Sequence, residues 1–331
     1  MNQVEKTHTG LGSLYAFSLI CVKASKALVV ISPAGTGKSS TINAAAKINP
    51  DGVIEAGSLT RSGIPKASMN LNDSKRTILT DDLGEIDTKY SALETLKTAV
   101  HLVYEHQISK YNSTTQLNIQ NFHGSFLTTI QPNKMQEIVS SSSWEAVIRD
   151  KMIRYYHLIR PIKPVIAPIA VKAKWGTDIS KVSDKIPKSD YYQILIDLAY
   201  SQWSKSRGKQ HLQDFLKACA ALDNRQRIMT KDLELLWYLM MPMKLEQYFM
   251  VKHQLESQIN FQNDHLCILS ELASYDTLTI QDIMNDFHIS QHNAKDIIFK
   301  LDDIVMCEPE YPFRIRATEI ARKILLECGF T

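Results

Sequence analysis

The run Ser32-Pro33-Ala34-Gly35-Thr36-Gly37-Lys38-Ser39-Ser40 places two glycines, a lysine and four hydroxyl side chains at a spacing that suits a row of phosphates. Gly35 and Gly37 allow backbone N–H groups to turn inward, Lys38 is long enough to reach the outer phosphates, and Ser39 offers a hydroxyl to Mg2+. The helix that opens at Ser40 and runs to Ile48 adds the positive end of its dipole. The pattern departs from GxxxxGK[ST] only at its first position, where Ser32 stands in place of glycine. A nucleoside triphosphate is the ligand this chemistry implies, and all nine residues from Ser32 to Ser40 are candidate contacts.

Holding a triphosphate and cleaving it need different groups, because cleavage calls for a carboxylate on the metal and another beside the attacking water. Thr77-Ile-Leu-Thr-Asp81-Asp82 reads as a buried strand ending in two acids, which would lie beside the phosphate loop if the two strands are neighbours in a parallel sheet. Asp81 is expected to hold Mg2+, directly or through water bound by Ser39, and Asp82 to polarise the attacking water.

These groups need a scaffold, and the apolar pattern supplies one. Leu11 to Ser25 reads as an apolar helix that feeds the strand Ala27 to Ser32. Strand-like and helical segments then alternate: the loop helix, Gly52 to Glu55, Thr77 to Thr80, a helix over Lys89 to Glu105, then Ser125 to Ile130 and Ile153 to Ile159. Alternation of this kind predicts an α/β parallel sheet with nucleotide at its carboxyl edge. Arg160-Pro-Ile-Lys-Pro-Val-Ile-Ala-Pro168 cannot be helical and reads as an extended connector. Helices are expected over Asp190 to Ser204, Lys209 to Asp223 and Thr230 to Met240. A last group of short helices, His265 to Ala273, Thr279 to Phe287 and Ser290 to Leu301, precedes β-like pieces around Pro309 and Pro312, an order that suggests a winged helix.

Composition narrows the class. At 331 residues and 44% hydrophobic content the chain has room for two or three domains with real cores. No run approaches the apolar length of a membrane span and the start lacks a signal layout, so a cytoplasmic protein with no membrane partner is expected. Cys21, Cys219, Cys267, Cys307 and Cys328 are scattered and odd in number, which argues against a disulfide framework or structural zinc. The net charge of +3 divides into −6 over residues 251–331 and +9 over the rest. Ten cations between Arg149 and Lys188 make a polyanion a candidate partner.

Taken together, the phosphate loop, the acidic strand and a fourth strand resemble an AAA+ ATPase. Pro-Ala-Gly-Thr-Gly-Lys is similar to that family's loop, and Asp81-Asp82 stands at its second acidic motif, where Asp-Glu is common; Asp82 is one methylene shorter. Phe126-Leu-Thr-Thr-Ile-Gln131-Pro132-Asn133 resembles the strand that ends in a polar sensor, which the resemblance assigns to Gln131, with Thr129 as the alternative. Ile148-Arg149-Asp150-Lys151-Met-Ile-Arg154 resembles the segment that supplies an arginine finger to a neighbouring subunit. Lys151 stands at the arginine position, with Arg149 and Arg154 beside it as alternatives. Residues Tyr104 to Gln120 alternate around Asn112-Ser-Thr-Thr115 as a β-hairpin would. A hairpin there is similar to the pre-sensor insertion of MCM helicases, MoxR-type ATPases and the magnesium chelatase subunit. The MCM likeness implies DNA contact through Lys110. Ser206-Arg207-Gly-Lys209 and the helix through Ala218 to Ala221 resemble the helical lid of this branch, which gives Arg207 the role of second sensor.

The resemblance implies an AAA+ core over 1–162, a connector over 163–188, a helical lid over 189–250 and a winged-helix domain over 251–331. It implies ATP and Mg2+ as cofactors, a homo-oligomeric ring of about six subunits, and lid motion coupled to hydrolysis. DNA is the expected substrate of the motor, with a remodelled protein client or a slow partner-docking switch as alternatives. The acidic balance of residues 251–331 favours a protein partner for the winged helix over duplex DNA, since counterion release needs a basic face.

Overall fold

The computed structural model describes residues 1–61, 63–66, 70–83, 89–111, 116–159, 169, 173–249, 263–287, 289–308 and 314–330. The extended connector expected over 160–168, the hairpin tip 112–115 and the two prolines 309 and 312 lie outside these residues. The first section contains α1 (Asn2–Thr7), α2 (Gly12–Lys23), β1 (Ala27–Ile31), α3 (Lys38–Ala46), β2 (Val53–Ala56), α4 (Gly63–Lys66), β3 (Thr77–Asp82) and α5 (Lys89–Glu105). It continues with β4 (Ile108–Tyr111), β5 (Gln116–Ile119), β6 (Ser125–Ile130), α6 (Pro132–Val139), one π-helical turn over Trp144–Ile148, and β7 (Ile153–Tyr156).

Five of these strands form a parallel sheet in the order β2-β3-β6-β1-β7. This is an α/β fold of the P-loop NTPase type. Every residue of β1 and β6 is buried, as expected for strands that pack apolar residues on both faces. The order corrects one expectation. The acidic strand β3 is not adjacent to the loop strand β1, because β6 lies between them.

Each face of the sheet has its own core. Val29, Ile31, Phe126, Ile130 and Tyr156 face α5, α6 and the C-terminal section, whereas Leu28, Val30, Leu127, Ile153 and Tyr155 face α2, α3 and a helical section. That helical section comprises α7 (Asp190–Gln202), α8 (Lys205–Leu222) and α9 (Thr230–Met240), followed by a 3-10 turn and α10 (Glu246–Phe249). Phe17 of α2 stacks on Tyr155 of β7, with ring centroids 4.9 Å apart, and also meets Phe215 of α8. The helices α7–α9, within the span that the resemblance reads as a lid, share one continuous apolar cluster with the sheet.

The C-terminal section runs α11 (Asn263–Ser274), β8 (Leu278–Thr279), α12 (Ile280–Phe287), α13 (Gln291–Lys300), β9 (Val305–Glu308), β10 (Arg314–Ala317) and α14 (Glu319–Glu327). Its three strands form an antiparallel sheet in the order β8-β10-β9. α11 rests against α6, and Ser270 donates its hydroxyl hydrogen to the Leu158 carbonyl just beyond β7. Sequence reasoning did not place α1, α6, β8 or α14, all of them short.

Candidate functional site at the carboxyl edge of the sheet

β1 ends at Ile31, and the chain turns into the loop and then into α3 at Lys38. Gly35 and Gly37 adopt φ of 76° and 73°, left-handed conformations that favour glycine. Gly37 caps α3 and brings no side chain, so the helix's leading N–H groups have no capping side chain over them. The Gly37 carbonyl accepts the backbone N–H of Thr41 and the hydroxyls of Ser40 and Thr41. Ala34 and Gly35 are exposed at the mouth of the loop.

Ser32, the departure from the glycine pattern, has a positive role. Its buried hydroxyl lies 2.6 Å from that of Thr36, across the base of the loop, and Thr36 also donates to the Pro33 carbonyl at 3.2 Å. Behind the loop, Glu5 of α1 accepts the N–H groups of Gly10 and Gly12 at 2.7 Å each, which holds Leu11 close to Gly37. A Cβ added at Gly37 would come within 3.0 Å of Leu11.

Lys38 projects across the top of β6. Its Nζ lies 3.0 Å from Asp82 Oδ2 and donates to the Pro33 carbonyl at 3.3 Å, and the two charged side chains are only 7% and 12% exposed. Asp82 therefore joins the loop although its strand is two places away, because a lysine stem of four methylenes spans the intervening strand. Ser39 Oγ, on an exposed residue, lies 3.4 Å from the buried Thr129 Oγ1 of β6. Gln131 occupies the N-cap position of α6 and is partly buried. Thr129, the alternative sensor residue, is in contact with the loop helix. Hydroxyl and carboxylate oxygens are the donors that a hard divalent cation takes, so this set fits Mg2+.

The side chain of Asp81 lies outside the description, as does that of Lys110, whose backbone sits on β4 opposite Leu117.

Sequence reasoning missed His157. It follows β7 directly, donates its backbone N–H to the Ile31 carbonyl, and is buried beside the loop. Burial drives its pKa from 6.5 down to about 4, and the nearby Lys38 charge adds to that, while the Ile159 and Thr36 carbonyls oppose it. The available signal was its place at the carboxyl end of a fully buried strand, where ligand-facing groups collect.

The other cations assigned from the sequence are elsewhere. Arg207 stacks on the Tyr104 ring with its guanidinium 5.5 Å from the centroid and bonds Gln210 at 2.8 Å. Lys26, which precedes β1, approaches the same ring, so Arg207 is at the amino edge of the sheet. Six residues of extended chain separate Lys26 from Ser32, about 20 Å at 3.3 Å per residue. Arg207 therefore cannot touch a phosphate in its own loop, which corrects its assignment within one chain. Lys151 is at the same edge, 3.0 Å from Glu105. Arg149 lines a cleft there with Asp150 and Tyr200–Ser204.

Arg154 is corrected more fully. It is completely buried and donates to Glu246 at 2.7 Å, to the carbonyls of Met152 at 2.9 Å and Gln202 at 2.8 Å, and to the Arg149 carbonyl. A side chain so enclosed cannot serve a neighbouring subunit. It ties β7 to the end of α7 and to α10.

The parallel sheet and glycine-turned loop define a P-loop α/β protein. No family model matches the chain, and no curated protein matches it. Among solved structures the chain is similar to a candidate ATPase from Cytophaga hutchinsonii, with 14% identity, a TM-score of 0.33, and coverage of 72% of this chain and 83% of that one. Among the described residues no helix is long and apolar enough to cross a membrane.

Proposed function

We propose that this chain binds and hydrolyses ATP with Mg2+ at the loop Ser32–Ser40, as an AAA+-type ATPase. The observation that carries the reading is the convergence of a glycine-turned loop, a helix N-terminus, Lys38 and the strand-borne Asp82 within one cluster. Backbone N–H groups at the start of α3 and the Lys38 ammonium would neutralise the phosphate oxygens, while Ser39 and the acidic end of β3 would hold the cation. Mg2+, when bound, supplies charge neutralisation between the outer phosphates. Thr36 and Ser32 keep the loop in shape, and neutral His157 supports it without adding a third charge beside Lys38 and the metal.

Among the described residues Lys38 is the cation at the loop, and Lys151, Arg149 and Arg207 lie toward the opposite edge. A second cation on the transferred phosphate would then come from a neighbouring subunit, which makes a homo-oligomeric ring the working assembly. For the substrate of the motor we propose DNA, gripped by the β4–β5 hairpin through Lys110. The winged-helix-like C-terminal section would dock a partner protein.

ATP hydrolysis at fixed low salt, with and without single- and double-stranded DNA, tests this in wild type, Lys38→Ala and Lys110→Ala. Loss of hydrolysis in Lys38→Ala supports the ATPase reading, and a DNA stimulation that disappears in Lys110→Ala supports the DNA reading. Hydrolysis indifferent to DNA at every salt concentration would replace the DNA substrate with a protein client, as in MoxR-type ATPases.

A further inference from the structure

The pairing of β3 with β6 begins regularly, with Thr77 opposite Ser125, Ile78 opposite Phe126 and Leu79 opposite Leu127. Continued in step, it would bring Asp81 opposite Thr129. The register instead shifts between Leu79 and Asp82, and it is Asp82 that stands opposite Thr129. One extra residue has entered β3, a bulge-like irregularity of the kind that re-aims a side chain beside a functional site. The slip of one residue exchanges the two consecutive acids, setting Asp82 opposite Thr129 in the place that Asp81 would take in an unbroken register.

Three oxygens of the loop's metal end follow from that exchange. Thr129 is paired on its other side with Val30 of β1, and its Oγ1 lies 3.4 Å from Ser39 Oγ. Asp82, directly across from Thr129, reaches the loop lysine at 3.0 Å. We infer that Asp82, and not Asp81, is the carboxylate that holds the divalent cation of the bound nucleotide, with the Ser39 and Thr129 hydroxyls beside it. The inference rests on the nucleotide-binding reading and reverses the order of the two acids that the sequence suggests. It also removes Asp82 from the role of polarising the attacking water.

Nucleotide affinity measured with and without Mg2+, using a fluorescent ATP analogue and the full chain, separates the two acids without reference to turnover. Electron paramagnetic resonance of Mn2+ counts the cation retained with the nucleotide. The variants are Asp81→Asn, Asp82→Asn and Asp82→Glu, each checked for wild-type melting, with Lys38→Ala as the nucleotide-negative control. The expected result is that Asp82→Asn loses the Mg2+-dependent gain in affinity by about tenfold or more and retains no Mn2+. Asp81→Asn should keep both within about twofold, and Asp82→Glu, which restores the carboxylate, should recover part of the gain. Loss in Asp81→Asn, equal loss in both, or a wild type that binds nucleotide with no benefit from Mg2+ would each overturn the inference. A folded wild type that binds no nucleotide at all would instead overturn the reading on which it rests.

Discussion

Replacing Arg154 with methionine tests whether this residue is a clasp or a catalytic cation. The guanidinium is completely buried, and its removal leaves Glu246, 1% exposed, as an uncompensated carboxylate. The carbonyls of Arg149, Met152 and Gln202 lose a donor in the same step. Breaking a buried ion pair from one side costs about 3–5 kcal/mol, most of it the desolvated charge left behind. The double variant Arg154→Met/Glu246→Leu removes that charge as well and should recover at least half of the loss, leaving about 1–3 kcal/mol for the donors lost to the three carbonyls, of which Met152 keeps the Trp203 indole N–H. Urea unfolding at pH 7, followed by circular dichroism, reads both numbers. Two results would refute the reasoning: an Arg154→Met cost below about 1 kcal/mol, or a double variant no more stable than the single one. Unchanged stability with abolished ATP turnover would return Arg154 to the role of a finger.

Three further outcomes follow from the same geometry. His157 binds its proton with a pKa of about 4 when folded and 6.5 when unfolded, so between these values the unfolded chain holds the extra proton and stability falls as pH falls. Its share of the loss reaches about 3 kcal/mol near pH 4, and His157→Gln should flatten the pH dependence of the urea midpoint over that window. Burial also lowers the pKa of His211 well below its ordinary value, so replacing both histidines should flatten the profile more than replacing His157 alone. A Cβ on Gly124 would lie 1.9 Å from the Arg76 carbonyl, so Gly124→Ala should cost about 1–3 kcal/mol in denaturant unfolding. Nothing lies within 4 Å of a Cβ at Gly35, whose φ of 76° leaves Gly35→Ala a backbone cost of about 1–2 kcal/mol and no clash.

The local geometry of the glycine-turned loop was legible in the sequence because it depends on residues adjacent in the chain. Glycines at 35 and 37 are needed where φ is positive, and Lys38 and Ser39 stand at the first turn of a helix whose position follows from the strand before it. The alternation of buried strands and helices likewise announced a parallel sheet, since period and composition are local properties. Long-range placement was not legible. Strand order, which inserts β6 between the loop and the acids, depends on how crossovers pack, and the single-residue bulge that selects Asp82 leaves no mark in an alternating run. Lys151, Arg149 and Arg154 stood as alternatives for one role and Arg207 for another until burial sealed Arg154 and packing set the other three at the far edge of the sheet. Sequence determines what a short segment can bind. Tertiary packing decides which charges meet it, because a charge acts through distance and solvent exposure, and both are set by the chain as a whole.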